Sequence, residues 1–231
     1  MTSTLPTPAP LVLIPALLCD DALFAGVLAD LGNRVAPEVI VASRPTLADS
    51  VADILARAPE RFVLAGASYG GIVALEVALA APERVAALWV TGSDPGAPDR
   101  DANLGFAGML EGATADAIGY LSTRVVRPEA TTASATFTAM AGRVGGATGA
   151  AQMRALAGRT AAWDRLGALT MPTLVLWGAE DALAPVAVGQ RLADALPHAQ
   201  FHVLNGCGHL PMLEAPSEVA AVVGAWLDTM V

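Results

Sequence analysis

The chain has 231 residues, 54% of them hydrophobic and 15% charged, so it is long enough for one globular domain with a full core, with or without an insertion. Its net charge of −9 argues against binding to nucleic acid or to an anionic membrane surface. No apolar run approaches the roughly 20 residues of a membrane-spanning helix, and residues 1–10 lack the pattern of a signal peptide. We therefore expect a cytoplasmic protein.

Short apolar runs alternate with helical patterns along most of the chain. Continuous apolar runs of this length are typical of strands that are buried on both faces of a sheet. Their alternation with helices predicts a parallel, helix-covered α/β sheet. The predicted strands are residues 11–14, 39–41, 62–65, 86–90, 173–177 and 200–204. The predicted helices are residues 22–31, 46–57, 72–81 and 186–196, with a last one after Pro216.

Residues 94–165 differ in character from the rest of the chain. They contain about four helical patterns rich in alanine, glycine and threonine, with no convincing strand among them. We predict that this stretch is a helical cap inserted after the fourth strand. The predicted core is then formed by residues 1–93 and 166–231.

Residues 62–71, FVLAGASYGG, run from an apolar strand through a tight turn into a helix. Ser68 lies two residues from Gly66 and two from Gly70, which is the nucleophile-elbow pattern. Such a strained turn projects the serine hydroxyl, and side chains at the two glycine positions would collide with neighbouring backbone. The amides at the start of the following helix point at whatever the serine attacks. The pattern predicts Ser68 as a nucleophile.

His209 is the candidate base for that nucleophile. It lies in the glycine-rich loop 205–209, NGCGH, just past the last predicted strand. His198 and His202 lie in a turn and within a strand, where surface or packing roles are expected. A serine hydroxyl reacts only when a base takes its proton, and the base needs an acid that holds its tautomer and orientation.

Asp181 is the candidate acid, because it directly follows the penultimate strand. Glu180 beside it and Asp94 after the preceding strand are the alternatives. Ligands of parallel sheets bind beyond the carboxyl ends of the strands, where Ser68, Asp181 and His209 are all expected. Proteins with a nucleophile elbow carry their catalytic residues in the order serine, aspartate, histidine along the chain, and the same order is found here.

Four stretches of the sequence carry a resemblance to a known family: LVLIPALLCD, FVLAGASYGG, MPTLVLWGAEDALAP and NGCGHLPMLEAP. With them the chain resembles the α/β-hydrolase-fold superfamily of serine hydrolases over nearly its whole length outside the cap. The resemblance implies a three-layer α/β fold with a mostly parallel sheet of about six strands and helices on both faces. It also implies Ser68 as nucleophile, His209 as general base and then acid, and Asp181 as its orienting partner. The implied oxyanion hole consists of the backbone N–H groups of Leu17 and Tyr69, and no metal or organic cofactor is required.

Two features depart from the family pattern. Most relatives carry His-Gly where this chain has Pro15-Ala16, which puts the local shape of that loop in question, although the amide of Leu17 is available whatever its side chain. The chain also has little room for the strand hairpin that usually precedes the first strand. We therefore expect residues 11–14 to form an internal strand of a sheet with a shortened edge.

A serine nucleophile argues against dehalogenase and epoxide hydrolase chemistry, because those relatives use aspartate. We expect a serine hydrolase that cleaves a small to medium, largely uncharged carboxylic ester or lactone. A carbon–carbon (diketone) hydrolase, a thioesterase and a non-catalytic binding protein of the same fold are the alternatives. Candidate walls of the substrate pocket, which can equally be core residues of the cap, are Leu18, Phe106, Met109, Tyr120, Phe137, Met140, Trp163 and Leu210.

The expected partner is a small-molecule substrate, without nucleic acid or membrane, and the expected state is a monomer or homodimer. Cys19 and Cys207 make neither a disulfide framework nor a metal-ligand spacing. We expect two free thiols, with a redox link between them as the alternative.

Overall fold

The computed structural model describes residues 8–230, and in that range the chain forms one six-stranded sheet in which every strand pair is parallel. The strand order is β2-β1-β3-β4-β5-β6. The strands are β1 Ala9–Ile14, β2 Val35–Val39, β3 Phe62–Ala67, β4 Val85–Thr91, β5 Thr173–Gly178 and β6 Ala199–Leu204. The helices are α1 Ala25–Leu31, α2 Leu47–Arg57, α3 Tyr69–Ala80, α4 Arg100–Gly112, α5 Thr114–Ser122, α6 Thr131–Ala157, α7 Val186–Ala195, α8 Pro211–Glu214 and α9 Pro216–Asp228.

The side chains of β1 explain why the sheet has helices on both faces. Successive side chains of a strand point to opposite faces. Leu11 and Leu13 belong to one buried cluster, which also contains side chains of α1, α9 and the helices between β4 and β5. Val12 and Ile14 belong to the other, with side chains of α2, α3 and α7. A strand that is buried on both faces therefore reads as a continuous apolar run, and β1 is internal as predicted.

The position of β2 was predicted wrongly. The apolar run at residues 39–41 indicated the strand, whereas β2 spans Val35–Val39 and pairs only with β1. It is an edge strand in which residues 36–38 are exposed, so it has no continuous apolar signal. Pro37 is tolerated there, because an edge strand leaves one row of its backbone groups unpaired. Ile40 lies just beyond the strand and is fully buried.

Between β4 and β5 the chain forms α4, α5, α6 and a 3-10 helix at Trp163–Ala168. Gly145 lies within the span of α6 but has a non-helical backbone with φ of 80°, which divides α6 into two helical parts. Next to it, a Cβ atom on Gly146 would overlap the carbonyl oxygen of Leu110, so glycine is needed for the close packing of α6 on α4. That residues 94–165 form a separate cap stays a prediction.

The parallel arrangement places the carboxyl ends of all six strands at one edge of the sheet. The loops after β1, β3, β4, β5 and β6 therefore share this edge. None of the helices within residues 8–230 combines the length and the hydrophobicity that a transmembrane segment requires.

Candidate active site

Ser68 lies at the tip of the turn between β3 and α3, in a backbone conformation that residues other than glycine rarely adopt. Its φ is 52° and its ψ is −116°. Its amide donates to the carbonyl of Thr91 at 2.7 Å, and the Ser93 hydroxyl lies 2.9 Å from the Ser68 carbonyl oxygen. These contacts with the end of β4 hold the strained turn in place.

The glycines of the turn are required by close backbone approach. A Cβ atom on Gly66 would overlap the carbonyl of Gly70, and one on Gly70 would overlap the carbonyl of Ile14 at the end of β1. A Cβ atom on Gly71 would overlap the Ser93 hydroxyl. The steric demand that the sequence pattern indicated is therefore present in the structure.

His209 connects Ser68 to Asp181 in one continuous chain of hydrogen-bond contacts. Its Nε2 atom lies 2.8 Å from Ser68 Oγ, and its Nδ1 atom lies 2.8 Å from Asp181 Oδ2. The His209 and Asp181 side chains are only 5% and 1% exposed. The fold thus brings together three residues from separate loops: Asp181 lies 28 positions before His209 in the sequence, and Ser68 lies 141 positions before it. The distances suit transfer of a proton from the serine hydroxyl to the imidazole.

The Asp181 carboxylate is held in its orientation by the turn that follows it. Its Oδ1 atom accepts hydrogen bonds from the amides of Leu183 at 2.9 Å and Ala184 at 2.8 Å, which leaves Oδ2 for His209. The alternative acids lie elsewhere. Asp94 is exposed and accepts from the amide of Gly96, and the exposed Glu180 lies 3.9 Å from Arg127.

The amides of Leu17 and Tyr69 form no hydrogen bond with another protein group in the described part of the chain, so both are available to an oxyanion. The amide of Leu18 is not, because it donates to Gln152 Oε1 at 3.0 Å. Burial raises the pKa of the Tyr69 phenol to about 12, and its side chain is 2% exposed. Tyr69 can therefore offer its backbone but not a phenolate.

A family profile described as the alpha/beta hydrolase family matches residues 8–222, nearly the whole chain. The chain belongs to the alpha/beta hydrolase family. The predicted family and fold are thereby confirmed.

Two relatives in this family align over most of the chain. The putative carbamate hydrolase RutD of Variovorax paradoxus is 35% identical over 183 residues, which are 71% of this chain and 66% of that enzyme. The pimeloyl acyl-carrier-protein methyl ester esterase of Aromatoleum aromaticum is 30% identical over 197 residues, 78% of this chain and 79% of that enzyme. One is named as a putative carbamate hydrolase and the other as an esterase, so both agree with the hydrolase family assignment.

A third similarity is local. A segment of 46 residues is 52% identical to the 2-hydroxy-6-oxononadienedioate/2-hydroxy-6-oxononatrienedioate hydrolase of Cupriavidus pinatubonensis, and it spans 20% of this chain and only 16% of that enzyme.

Solved structures show the same fold at low sequence identity. An esterase from Thermogutta terrifontis aligns with a TM-score of 0.87 at 22% identity, over 99% of this chain and 92% of that one. The enol-lactonase of Burkholderia xenovorans aligns with a TM-score of 0.86 at 17% identity, over 95% of this chain and 92% of that one.

The candidate pocket residues of this family member have very different exposures. Leu18, Phe137, Met140 and Leu210 are fully buried, Phe106 and Trp163 are half-buried, and Met109 and Tyr120 are 41% and 49% exposed. The Arg191 guanidinium lies 4.0 Å from the centre of the Trp163 ring, and the Arg124 guanidinium lies 3.8 Å from the centre of the Tyr120 ring. Their role as pocket walls stays a prediction.

Glu214 holds the loop that carries His209, a role that the sequence patterns did not indicate. Its side chain is 1% exposed and accepts from the amide of Gly208 at 2.7 Å, the amide of Arg127 at 3.2 Å and the Arg127 Nε atom at 3.0 Å. The amide of Leu210 also donates to the carbonyl of Val125. The segment between α5 and α6 thus contacts the His209 loop on both sides of the histidine. Glu214 lies within the quoted stretch NGCGHLPMLEAP, but nothing in the pattern indicates which groups it binds.

Cys19 and Cys207 are both free and buried. Burial raises the pKa of the Cys207 thiol to about 11 and that of the Cys19 thiol still further. Both are therefore poor nucleophiles at neutral pH. Within residues 8–230, no three His, Cys, Asp or Glu side chains lie close enough together to hold a metal ion.

Proposed function

We propose that this chain is a serine hydrolase that cleaves a small to medium, largely uncharged carboxylic ester or lactone through an acyl-enzyme. The observation that carries the proposal is the unbroken chain of contacts from Asp181 through His209 to Ser68, with 2.8 Å at each step. The strained turn at Ser68 supports it, because such strain is retained where it serves a mechanism.

In the first half of the reaction, Ser68 Oγ forms a bond to the substrate carbonyl carbon while its proton passes to His209 Nε2. The negative charge that develops on the carbonyl oxygen is stabilised by the Leu17 and Tyr69 amides. As the tetrahedral intermediate collapses, the bond to the leaving alkoxide breaks and His209 gives it the proton. Asp181 stays ionised and stabilises the imidazolium that forms in between.

In the second half, water takes the place of the serine hydroxyl. It adds to the acyl-enzyme carbonyl while its proton passes to His209, and the bond between that carbon and Ser68 Oγ then breaks. The proton returns to Ser68, and the carboxylic acid leaves. Apart from the substrate and this water, every group used in these steps is a side chain or amide of the chain.

The direct test is turnover of p-nitrophenyl acetate and butyrate by the wild type and by Ser68→Ala and His209→Ala. Each variant should lose several powers of ten in kcat, since both groups act in the transition state. Matched controls are Ser43→Ala and His202→Ala, which change an exposed serine and an exposed histidine. Full activity in Ser68→Ala would contradict the mechanism.

A second candidate, hydrolysis of a carbon–carbon bond in a diketone, is favoured by the local 52% identity to the 2-hydroxy-6-oxononadienedioate hydrolase. The same nucleophile and base would serve that reaction. A protein that reacts at Ser68 with a fluorophosphonate and consumes a 2-hydroxy-6-oxo-dienoate, but hydrolyses no p-nitrophenyl ester, would replace the first proposal by this one. An acyl thioester assayed in parallel tests the thioesterase alternative.

A further inference from the structure

The loop after β1 forms a tight turn with an unusual backbone conformation. The amide of Cys19 donates to the carbonyl of Ala16 at 3.0 Å, and Leu18, the third residue of the turn, has a φ of 60°. A positive φ at the third residue, with none at Leu17, is the pattern of a type II turn, where glycine is the usual third residue. For leucine the left-handed conformation costs on the order of 1–2 kcal/mol. Other contacts must hold Leu18 in this conformation.

The turn also determines the direction of the predicted oxyanion donor. The carbonyl of Ala16 and the amide of Leu17 belong to the same peptide plane and point in opposite directions. Because that carbonyl accepts from Cys19, the Leu17 amide is directed away from the turn. The next peptide plane carries the Leu18 amide and joins the first plane at the Leu17 Cα atom. A contact that holds this second plane therefore restrains the backbone rotation by which the Leu17 amide could turn.

Gln152 of α6 binds the second of these peptide planes. Its Oε1 atom accepts from the Leu18 amide at 3.0 Å, and its Nε2 atom donates to the carbonyl of Ala42 at 2.9 Å. The residue is completely buried. Removing it would leave two buried backbone groups without partners, which is costly.

Two more residues of α6 hold the same loop. The Arg143 guanidinium makes a two-fold contact with the Asp20 carboxylate, at 2.7 and 3.0 Å. A Cβ atom on Gly149 would lie 2.6 Å from a methyl group of Leu18, so the leucine side chain packs directly on the helix at that point. Gly149 and Gln152 are three residues apart and therefore share a helix face.

We propose that Gln152 is a positioning residue for the oxyanion hole, since it fixes the Leu18 peptide and thereby restrains the adjoining peptide that carries the Leu17 amide. The inference rests on the proposed function. It also accounts for how a loop with Pro15-Ala16 in place of His-Gly keeps its shape: α6 supplies a side chain that holds the turn from outside. The donor is therefore completed by a residue 134 positions away in the sequence.

The test is Gln152→Met, which keeps a similar volume but removes both hydrogen bonds. Active sites are counted by titration with a fluorophosphonate. Loss of one oxyanion donor lowers kcat by roughly 10²- to 10³-fold, so a misdirected donor should lower kcat per titrated site by about 10- to 10³-fold. KM should stay within about three-fold, because the ground-state carbonyl gains little from the hole. The Ki of a trifluoromethyl ketone, whose adduct carries an oxyanion, should rise in parallel with the loss of kcat.

Gln190→Met is the matched control. Gln190 lies exposed on α7 and its amide contacts only Asp194 in the described structure. A kcat of Gln152→Met within about three-fold of the wild type, or a rise in KM alone, would overturn the role of Gln152, because an ordinary structural residue gives no selective loss of kcat.

Two further measurements cover the remaining outcomes. If Gln152→Met does not fold, Gln152→Asn takes its place, because a side chain one methylene shorter cannot reach both the Leu18 amide and the Ala42 carbonyl. An unchanged kcat and trifluoromethyl ketone Ki in that variant would contradict the proposal. Amide hydrogen exchange at Leu18, slow in the wild type and fast in the variant, tests the hydrogen bond without any activity. A wild type that hydrolyses no acyl substrate contradicts the proposed function instead, whereas an active wild type with an equally active Gln152→Met contradicts only this inference.

Discussion

The Glu214 carboxylate offers a sharp test of how the His209 loop is held, through the single substitution Glu214→Gln. The change keeps the size of the side chain but replaces one acceptor oxygen by an N–H donor. In the wild type, Oε1 accepts from the amide of Gly208 and Oε2 accepts from the amide and Nε of Arg127. Whichever way the glutamine amide turns, its NH2 group faces at least one N–H donor.

The expected cost follows from these contacts. A hydrogen bond to a charged group contributes about 1.5–3 kcal/mol, and the variant loses at least one and leaves a buried donor unpaired. Because Arg127 is 29% exposed, water replaces part of what is lost on that side. We expect a decrease of about 2–4 kcal/mol in the free energy of unfolding. For a chain of this size, that corresponds to a decrease in Tm of roughly 5–15 °C.

The assay is urea unfolding followed by circular dichroism, with kcat measured under native conditions. Since Gly208 precedes His209, kcat should fall as well. Glu218→Gln, an exposed glutamate four residues further on, is the control and should change the free energy of unfolding by less than about 0.5 kcal/mol. If Glu214→Gln were as stable as that control, the carboxylate would not hold this loop.

Three further predictions concern the acid, a surface ion pair and the thiols. Asp181→Asn should keep the fold but lower kcat by about 10⁴-fold. The amide oxygen of the asparagine would accept from Leu183 and Ala184 as Oδ1 does now, so its NH2 group would face His209 Nδ1 and favour the wrong imidazole tautomer. A loss of less than about tenfold in ester turnover would argue against this role. Burial alone would raise the pKa of Asp20, but hydrogen bonds from Arg143 and a backbone amide lower it below its ordinary value. The contribution of the Asp20 carboxylate to the free energy of unfolding should be complete above about pH 4 and lost as the pH falls through the lowered pKa. In urea unfolding, Asp20→Asn should therefore be less stable than the wild type at neutral pH and about as stable in acid. Because burial raises the pKa of both cysteine thiols, a thiol reagent at neutral pH should modify neither of them in the native protein and both of them after unfolding. Rapid modification of the native protein would contradict their burial.

The central strands and the elbow could be predicted because their signals are local. A strand buried on both faces needs consecutive apolar residues, and the turn at Ser68 needs glycine at two fixed positions, so each constraint falls within a few neighbouring residues. The edge strand β2 was misplaced for the converse reason. Its residues 36–38 face solvent, and no local hydrophobic signal marks them.

Ser68, Asp181 and His209 could be singled out before their contacts were known, because each follows a predicted strand and parallel strands bring their carboxyl ends to one edge. That rule predicts that the three residues lie near one another, but not the distances and directions between their side-chain atoms. The choice of Asp181 over Asp94 or Glu180 depends on which carboxylate reaches His209 Nδ1, and only the packed loops decide it.

The sequence by itself determined the parallel sheet, the strained serine turn and the order of the candidate catalytic residues, because periodicity and turn chemistry act between near neighbours. The tertiary structure alone decided which side chains hold the turn at Leu18 and the loop at Gly208. Gln152 lies 134 residues from Leu18, and Arg127 lies 87 residues from Glu214. Such pairs leave no period or spacing in the sequence, because they arise where a helix packs against a loop and buried polar groups must find partners.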